Sequence, residues 1–181
     1  MKKCFFLLAF PAVLFSCSEN KTEVTETETP AVETPKVAVQ YPFEAQLAND
    51  WTMGDPQKTV QILELYKHLQ TDDFADSVVL PYFADSITSV SFDERVYAGN
   101  PKGFLDNVRK FRTQFKELDE EFVSYTCLHS ESKGIDMVSL WFKEKVVRNN
   151  GTKDSTRYQE NWIFNKDGKI THRTAFARYG F

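Results

Sequence analysis

Cysteine is scarce in this chain of 181 residues: only Cys4, Cys17 and Cys127 occur. If the first is removed with a leader and the second is modified, Cys127 stands alone and no internal disulfide can form. Cys127 lies in an apolar-alternating segment and reads as a buried small hydrophobe, since a reactive thiol needs an electropositive, partly exposed setting. Histidine is equally sparse. His68, His129 and His172 are scattered, with no His/Cys pair at ligand spacing, so neither a metal site nor a cofactor is implied. Positive charge is also short, the formal net charge being −4. That balance argues against nucleic acid, whose affinity comes mainly from Lys and Arg on phosphates, and against a polybasic grip on anionic lipid. No apolar run reaches the ~20 residues of a spanning helix, and no internal repeat is apparent.

What is present begins at the N-terminus. Lys2 and Lys3 precede an apolar run from Phe5 to Phe15, and Leu14-Phe15-Ser16 leads directly into Cys17. A basic start, a short apolar stretch and small-residue processing describe a secretory signal. The Leu-Phe-Ser-Cys ending resembles a bacterial lipobox, which implies cleavage before Cys17 and lipid on that cysteine. Residues 1–16 are then a signal peptide, and loss of Lys2 and Lys3 takes the formal charge from −4 to −6. The protein is expected in the bacterial cell envelope, held by acyl chains alone. Ser18 after the cysteine resembles the pattern that sends lipoproteins to the outer membrane.

Residues 17–50 change composition. Between Ser18 and Gln40 stand five threonines and five glutamates, with Pro30 and Pro35 and no aromatic residue. Such a stretch cannot bury enough apolar surface to offset its ordering entropy, and it reads as a flexible tether. Residues 51–181 are aromatic-rich and periodic, and about 130 residues is the usual size of one domain with one core.

Asp55-Pro56 is a helix start, and Ile62, Leu65, Tyr66 and Leu69 then lie on one helical face. Asp72-Asp73 ends that helix. Phe74 to about Phe83 suggests a second, interrupted by Pro81. Ile87 to Phe92 alternates as a strand, and Arg95 to Ala98 pairs back. Asn100-Pro101 opens a third helix, running to about Phe115, with Phe104, Val108, Phe111 and Phe115 along one side. Strands follow at Phe122 to Leu128, Met137 to Arg148, Arg157 to Phe164 and Ile170 to about Tyr179. The predicted fold class is α+β: a curved antiparallel sheet wrapped around about three helices on one face.

Tyr82-Phe83-Ala84-Asp85-Ser86, the helix after Gly99, and above all Trp162-Ile163-Phe164-Asn165-Lys166-Asp167-Gly168-Lys169-Ile170 resemble the SnoaL-like branch of the nuclear transport factor 2-like superfamily. The resemblance covers nearly the whole of residues 51–181 and is strongest to Bacteroidetes-type lipoproteins. It implies a cone whose sheet and helices enclose a pocket. It also implies a range of functions, among them isomerase, cyclase, dehydratase, hydrolase, transport and assembly. Ketosteroid-isomerase-type relatives use a Tyr and Asp set, and SnoaL cyclases carry an acid on the final strand. Here that strand reads Thr171-His172-Arg173-Thr174-Ala175-Phe176, so no catalytic residue carries over.

The last hairpin has a register readable from its turn. With Lys166-Asp167-Gly168 as a three-residue loop, Asn165 faces Lys169. Phe164 then faces Ile170, Trp162 faces His172, Glu160 faces Thr174 and Tyr158 faces Phe176. This puts Trp162, Phe164, Ile170 and Phe176 on the interior face, with Tyr158, Glu160, His172 and Thr174 among them. Glu160 and His172 become candidate catalytic residues, a carboxylate beside an imidazole able to move protons in an enolisation or a dehydration. Tyr158, Trp162, Thr174, Phe176 and Phe142 become candidate ligand contacts. For the preceding hairpin, a two-residue Asn-Gly turn sets Phe142 opposite Gln159, whereas a glycine bulge sets it opposite Tyr158. The bulge keeps apolar with apolar and is preferred. Trp141 then lies on the outer face, a possible homodimer surface. Three functions follow from these readings: a membrane-anchored domain binding a small, mostly apolar ligand, a lyase or isomerase using Glu160 and His172, or an assembly module acting through the outer sheet.

Overall fold

The structure, a computed structural model, describes residues 50–179. The signal peptide, Cys17 and nearly all of the tether lie outside the described residues.

The first helix, α1 (Pro56–Leu69), begins where the sequence indicates: Asp55 accepts a hydrogen bond from Gln57 N at 2.9 Å, and Pro56 takes the first helical position, where no N–H is needed. Its buried face carries Ile62, Leu65, Tyr66 and Leu69. The second is one turn, α2 (Asp76–Val79), followed by a 3₁₀ turn at Leu80–Tyr82 where Pro81 stops the α pattern. In α3 (Pro101–Arg112), Asn100 caps Gly103 N at 2.9 Å. The buried side of α3 differs from expectation. Phe104 and Leu105 are inside, Phe111 is 36% exposed, and Arg112 is buried in its place. The helix ends at Arg112 because Phe115 already belongs to a strand.

Seven strands form one sheet: β1 (Trp51–Met53), β2 (Phe83–Val90), β3 (Val96–Gly99), β4 (Phe115–Ser130), β5 (Ile135–Arg148), β6 (Lys153–Phe164) and β7 (Ile170–Tyr179). Their order is β1-β4-β5-β6-β7-β2-β3, antiparallel except for the β2–β7 pair. The mixed α+β architecture is the expected one. Two strand features are additional. β1 is a short edge strand on β4, and β4 starts at Phe115 rather than Phe122. The charged run Lys116 to Glu121 hides that start, because its side chains are mostly solvated or paired across strands, as Lys145 with Glu121 at 2.7 Å.

Both hairpin registers bear on the site. Between β5 and β6, Gly151 adopts φ +86° and Phe142 sits opposite Tyr158, so the bulged alternative is the one formed. Between β6 and β7 the turn is as read: Asn165 N donates to Lys169 O at 2.9 Å, Gly168 adopts φ +71°, and Phe164 faces Ile170. The register then shifts by one, because Thr171 is an extra residue between the Phe164–Ile170 and Ile163–His172 pairs. Trp162 therefore faces Arg173, Glu160 faces Ala175 and Tyr158 faces Ala177. One residue of slip moves a whole strand face. His172, Thr174 and Phe176 go to the outer side, and Arg173 comes inside.

The core between helices and sheet is continuous, running from Ile62, Leu65 and Val79 to Leu140, Trp162, Phe164 and Ile170. Cys127 belongs to it at 4% exposure, and burial pushes its thiol up to about 11. A thiol so placed is inert at neutral pH.

Candidate functional site

A cavity of about 510 Å³ lies between the inner sheet face, α3 and the turn joining β2 to β3. Aromatic rings line it from most sides: Tyr66 on α1, Phe104 on α3, Tyr97 on β3, Phe142 on β5, and Tyr158 and Trp162 on β6. Phe142 and Tyr158 are stacked with centroids 5.4 Å apart, and Phe92 in the turn continues that wall at 5.8 Å from Tyr158. Phe92, Arg95 and Lys110 are exposed and mark the rim, whereas Trp162 at 1% exposure marks the deep end.

The deep end is built around Glu160, which is 2% exposed on β6. Arg173 on β7 grips it bidentately, Nε donating to Oε2 at 2.9 Å and Nη2 donating to Oε1. Tyr66 Oη donates to Oε2 at 2.5 Å, and Arg173 Nη1 reaches Ser89 Oγ on β2 at 3.4 Å. The guanidinium also lies 5.5 Å from the centre of the Trp162 ring. Against the cost of burial, the Glu160 carboxylate holds the Arg173 charge in place, above its ordinary value. Burial and the same carboxylate push the Tyr66 phenol well above its ordinary value, so it remains a donor.

A second charged group forms another part of the wall. Arg112 on α3 donates from Nη2 to Glu120 Oε1 on β4 at 3.1 Å, with side chains 8% and 2% exposed. Glu144 on β5 is the cross-strand partner of Glu120 and shares its face. Its carboxyl makes no hydrogen bond or ion pair among the described residues. Burial first, and then the neighbouring Glu120 carboxylate, push it up to about 7. Burial also raises Glu120, with Arg112 and, more weakly, the Gln70 side chain opposing. Four buried atoms in these groups have no hydrogen-bond partner among the described residues: Arg112 Nε and Nη1, Glu120 Oε2 and Trp162 Nε1. Such groups normally find partners, and here all of them belong to residues on the cavity wall. Among the described residues no cluster of His, Cys, Asp or Glu is arranged to hold a metal ion.

The structure brings together Tyr158, Glu160, Trp162 and Phe142 on the cavity wall. It does not bring Glu160 and His172 together. His172 is exposed, opposite Ile163, with its Nδ1 3.0 Å from Thr171 Oγ1. Thr174 and Phe176 pair with Asn161 and Gln159 on the outer face, where Phe176, 53% exposed, and Trp141, 37% exposed, flank Gln159 from the strands on either side. The extra residue Thr171 is the physical reason in each case. Arg173, Arg112, Glu120 and Glu144 were not singled out from the sequence. For Glu144 a signal existed: Phe142, Glu144 and Val146 alternate on one strand face, so an inward Phe142 carries Glu144 inward as well. For Arg173 none existed, since nothing in the turn announces the bulge after it.

A curved sheet wrapped on three helices around an open, aromatic-walled cavity defines a cone-type α+β class. Solved structures identify it as the nuclear transport factor 2-like fold. One match is an NTF2-like protein of unknown function from Exiguobacterium sp. 255-15, 17% identical over 68% of this chain and 99% of that chain, with TM-score 0.53. A protein from Shewanella denitrificans named as a SnoaL-like polyketide cyclase is 10% identical over 69% of this chain and 93% of that chain, with TM-score 0.54. A protein from Xanthomonas campestris named as a calcium/calmodulin dependent protein kinase II association domain is 15% identical over 80% of this chain and 100% of that chain, with TM-score 0.54. No protein-family model matches the sequence, and comparison with curated proteins finds no match. At these identities the likeness is one of fold. The names range from a cyclase to an association domain, so the fold by itself does not settle function.

Proposed function

We propose that the chain is a lipid-anchored envelope protein whose cone binds a small, mostly apolar ligand. The observation that carries the binding reading is the cavity. Its volume of about 510 Å³ falls in the range of small-molecule sites, and aromatic walls with a few converging polar groups are the usual lining. A cone filled with side chains would instead favour an assembly role. Proton transfer by a Glu160–His172 pair loses its geometric support, because the two side chains lie on opposite faces of the sheet.

The binding reading has a direct test. A neutral apolar fluorophore, N-phenylnaphthylamine, should bind at one site with a blue-shifted emission. Val108 is half-buried on the cavity wall. Val108→Trp places an indole in the cavity and should weaken binding about tenfold or more. Absence of binding to the wild type, or undiminished binding to the folded variant, would sink the reading.

The anchor rests on Lys2, Lys3, the apolar run and Cys17. Replacing Cys17 with Ser should release the protein from the membrane pellet to the soluble envelope fraction, because two or more acyl chains are what make such attachment stable. Continued membrane partitioning of Cys17→Ser would refute lipidation as the anchor.

A further inference from the structure

Away from the rim the charges of the cavity do not balance: three carboxylates, Glu120, Glu144 and Glu160, meet two guanidiniums, Arg112 and Arg173. Arg173 is matched by Glu160 and Arg112 by Glu120, each pair in hydrogen-bond contact. Glu144 is the carboxyl left over. It faces Glu120 and Arg112 from β4 and α3, and Glu160 and Arg173 from β6 and β7. The remaining cations of the lining are Arg95, which is held by Asp93 at 2.6 Å, and Lys110; both are exposed at the rim, where solvent screens them. With Arg95 and Lys110 the lining holds four cations and three carboxylates, so the carboxylate excess is local to Glu144 and Glu120, and a cationic group seated there would neutralise it.

Two further observations point the same way, while the unpartnered donors Arg112 Nε and Nη1 and Trp162 Nε1 call for an acceptor elsewhere on the same ligand. Phe142 precedes Glu144 by two residues on the same strand face, which places the stacked Phe142–Tyr158 pair about 7 Å along the wall from Glu144. Aromatic faces beside a carboxylate are what an organic cation recognises, the rings supplying quadrupole attraction and the carboxylate supplying charge. Glu120 Oε2 is the second observation. It belongs to a side chain 2% exposed on the cavity wall and has no donor within hydrogen-bond distance among the described residues, although the Gln70 side chain lies near enough to lower its carboxyl. An ammonium beside Glu144, its cross-strand neighbour, has N–H groups to offer both carboxylates.

We propose that the cavity selects an organic amine, its ammonium group seated beside Glu144 and Glu120 and its apolar body along Phe142, Tyr158 and Phe92. This deepens the small-ligand reading and rests on it. A consequence is proton linkage. Glu144 holds a proton at mildly acidic pH, so an incoming ammonium must displace it, and binding strengthens as the pH rises through neutrality.

Three probes with one phenyl body separate the possibilities: phenethylamine, phenethyl alcohol and phenylpropionate, titrated by calorimetry into the full-length protein. The amine should bind about tenfold more tightly than the alcohol near pH 8, and the phenylpropionate more weakly than either. Its advantage should shrink severalfold near about pH 5.5, and Glu144→Gln should remove both the advantage and its pH dependence. Equal binding of amine and alcohol would overturn the amine proposal while leaving a neutral-ligand cone intact. Preference for phenylpropionate would overturn it in favour of an anion site on Arg112. Binding of none of the three, with N-phenylnaphthylamine also failing to bind, would overturn the cavity reading itself.

Discussion

Trp162→Ala should lower the unfolding free energy by about 3–5 kcal/mol, the cost of deleting a large aromatic from a packed interior. The site offers little scope for collapse. Trp162 is 1% exposed, its ring meets Tyr66 edge-on with centroids 6.1 Å apart, and the Arg173 guanidinium lies 5.5 Å from its centre. Removing the indole opens a void beside a buried ion pair, so packing loss and electrostatic loosening act together. Urea denaturation of wild type and variant, followed by circular dichroism, measures the difference. Trp141→Ala is the control, because Trp141 is 37% exposed on the outer face and its loss should cost about 1 kcal/mol or less. Equal effects of the two substitutions would mean that the inner and outer faces are misassigned.

The assignment of those faces shows how much the sequence could reveal. The helical faces of α1 and the apolar alternation of β5 are periodic over many residues, and both were legible. The two turns were legible as well, since Gly151 and Gly168 are placed where positive φ is required. What could not be read was the single extra residue at Thr171, because a bulge changes pairing without changing composition. That one residue moved His172 out of the cavity and Arg173 into it. The sequence-derived Glu160–His172 pair thus becomes a Glu160–Arg173 pair, with a different chemical meaning: a fixed ion pair rather than a proton relay. The β4 half of the site was hidden for another reason. Glu120 lies in a run of charges that resembles a solvated loop, and only its alignment with Arg112 and Glu144 makes it an interior residue. Buried charge is rare enough that a sequence pattern assigns such a run to solvent by default.

Replacing Glu144 with Gln should change the pH dependence of stability more than any other carboxyl substitution in the cavity. Its carboxyl is pushed up to about 7 from an ordinary 4.5, chiefly by burial and then by Glu120. A raised carboxyl value has a definite sign in stability. Below about pH 4.5 the folded and unfolded chains both hold the proton, and the group subtracts nothing. Between about pH 4.5 and pH 7 the unfolded chain releases it while the folded chain retains it, so stability falls as pH rises. Above about pH 7 the loss is complete, and the folded protein carries an uncompensated carboxylate beside Glu120. The full span corresponds to about 2–3 kcal/mol, reduced from the bare shift because Glu144 is only part-buried. Glutamine keeps the shape and has no proton to lose. The variant should therefore match the wild type near pH 4.5 and exceed it by about 2–3 kcal/mol near pH 8. Asp50, Asp76 and Glu121, whose values are lowered by hydrogen bonds, contribute the opposite slope to both proteins and cancel in the difference. Parallel stability–pH curves for the two proteins would show that Glu144 titrates as an ordinary surface carboxyl. The destabilised carboxylate of the free protein is also the source of affinity in the amine proposal. A cation that relieves it gains at neutral pH what folding alone gives up there, so the ligand-induced rise in melting temperature should be largest at the pH where Glu144→Gln is most stabilising.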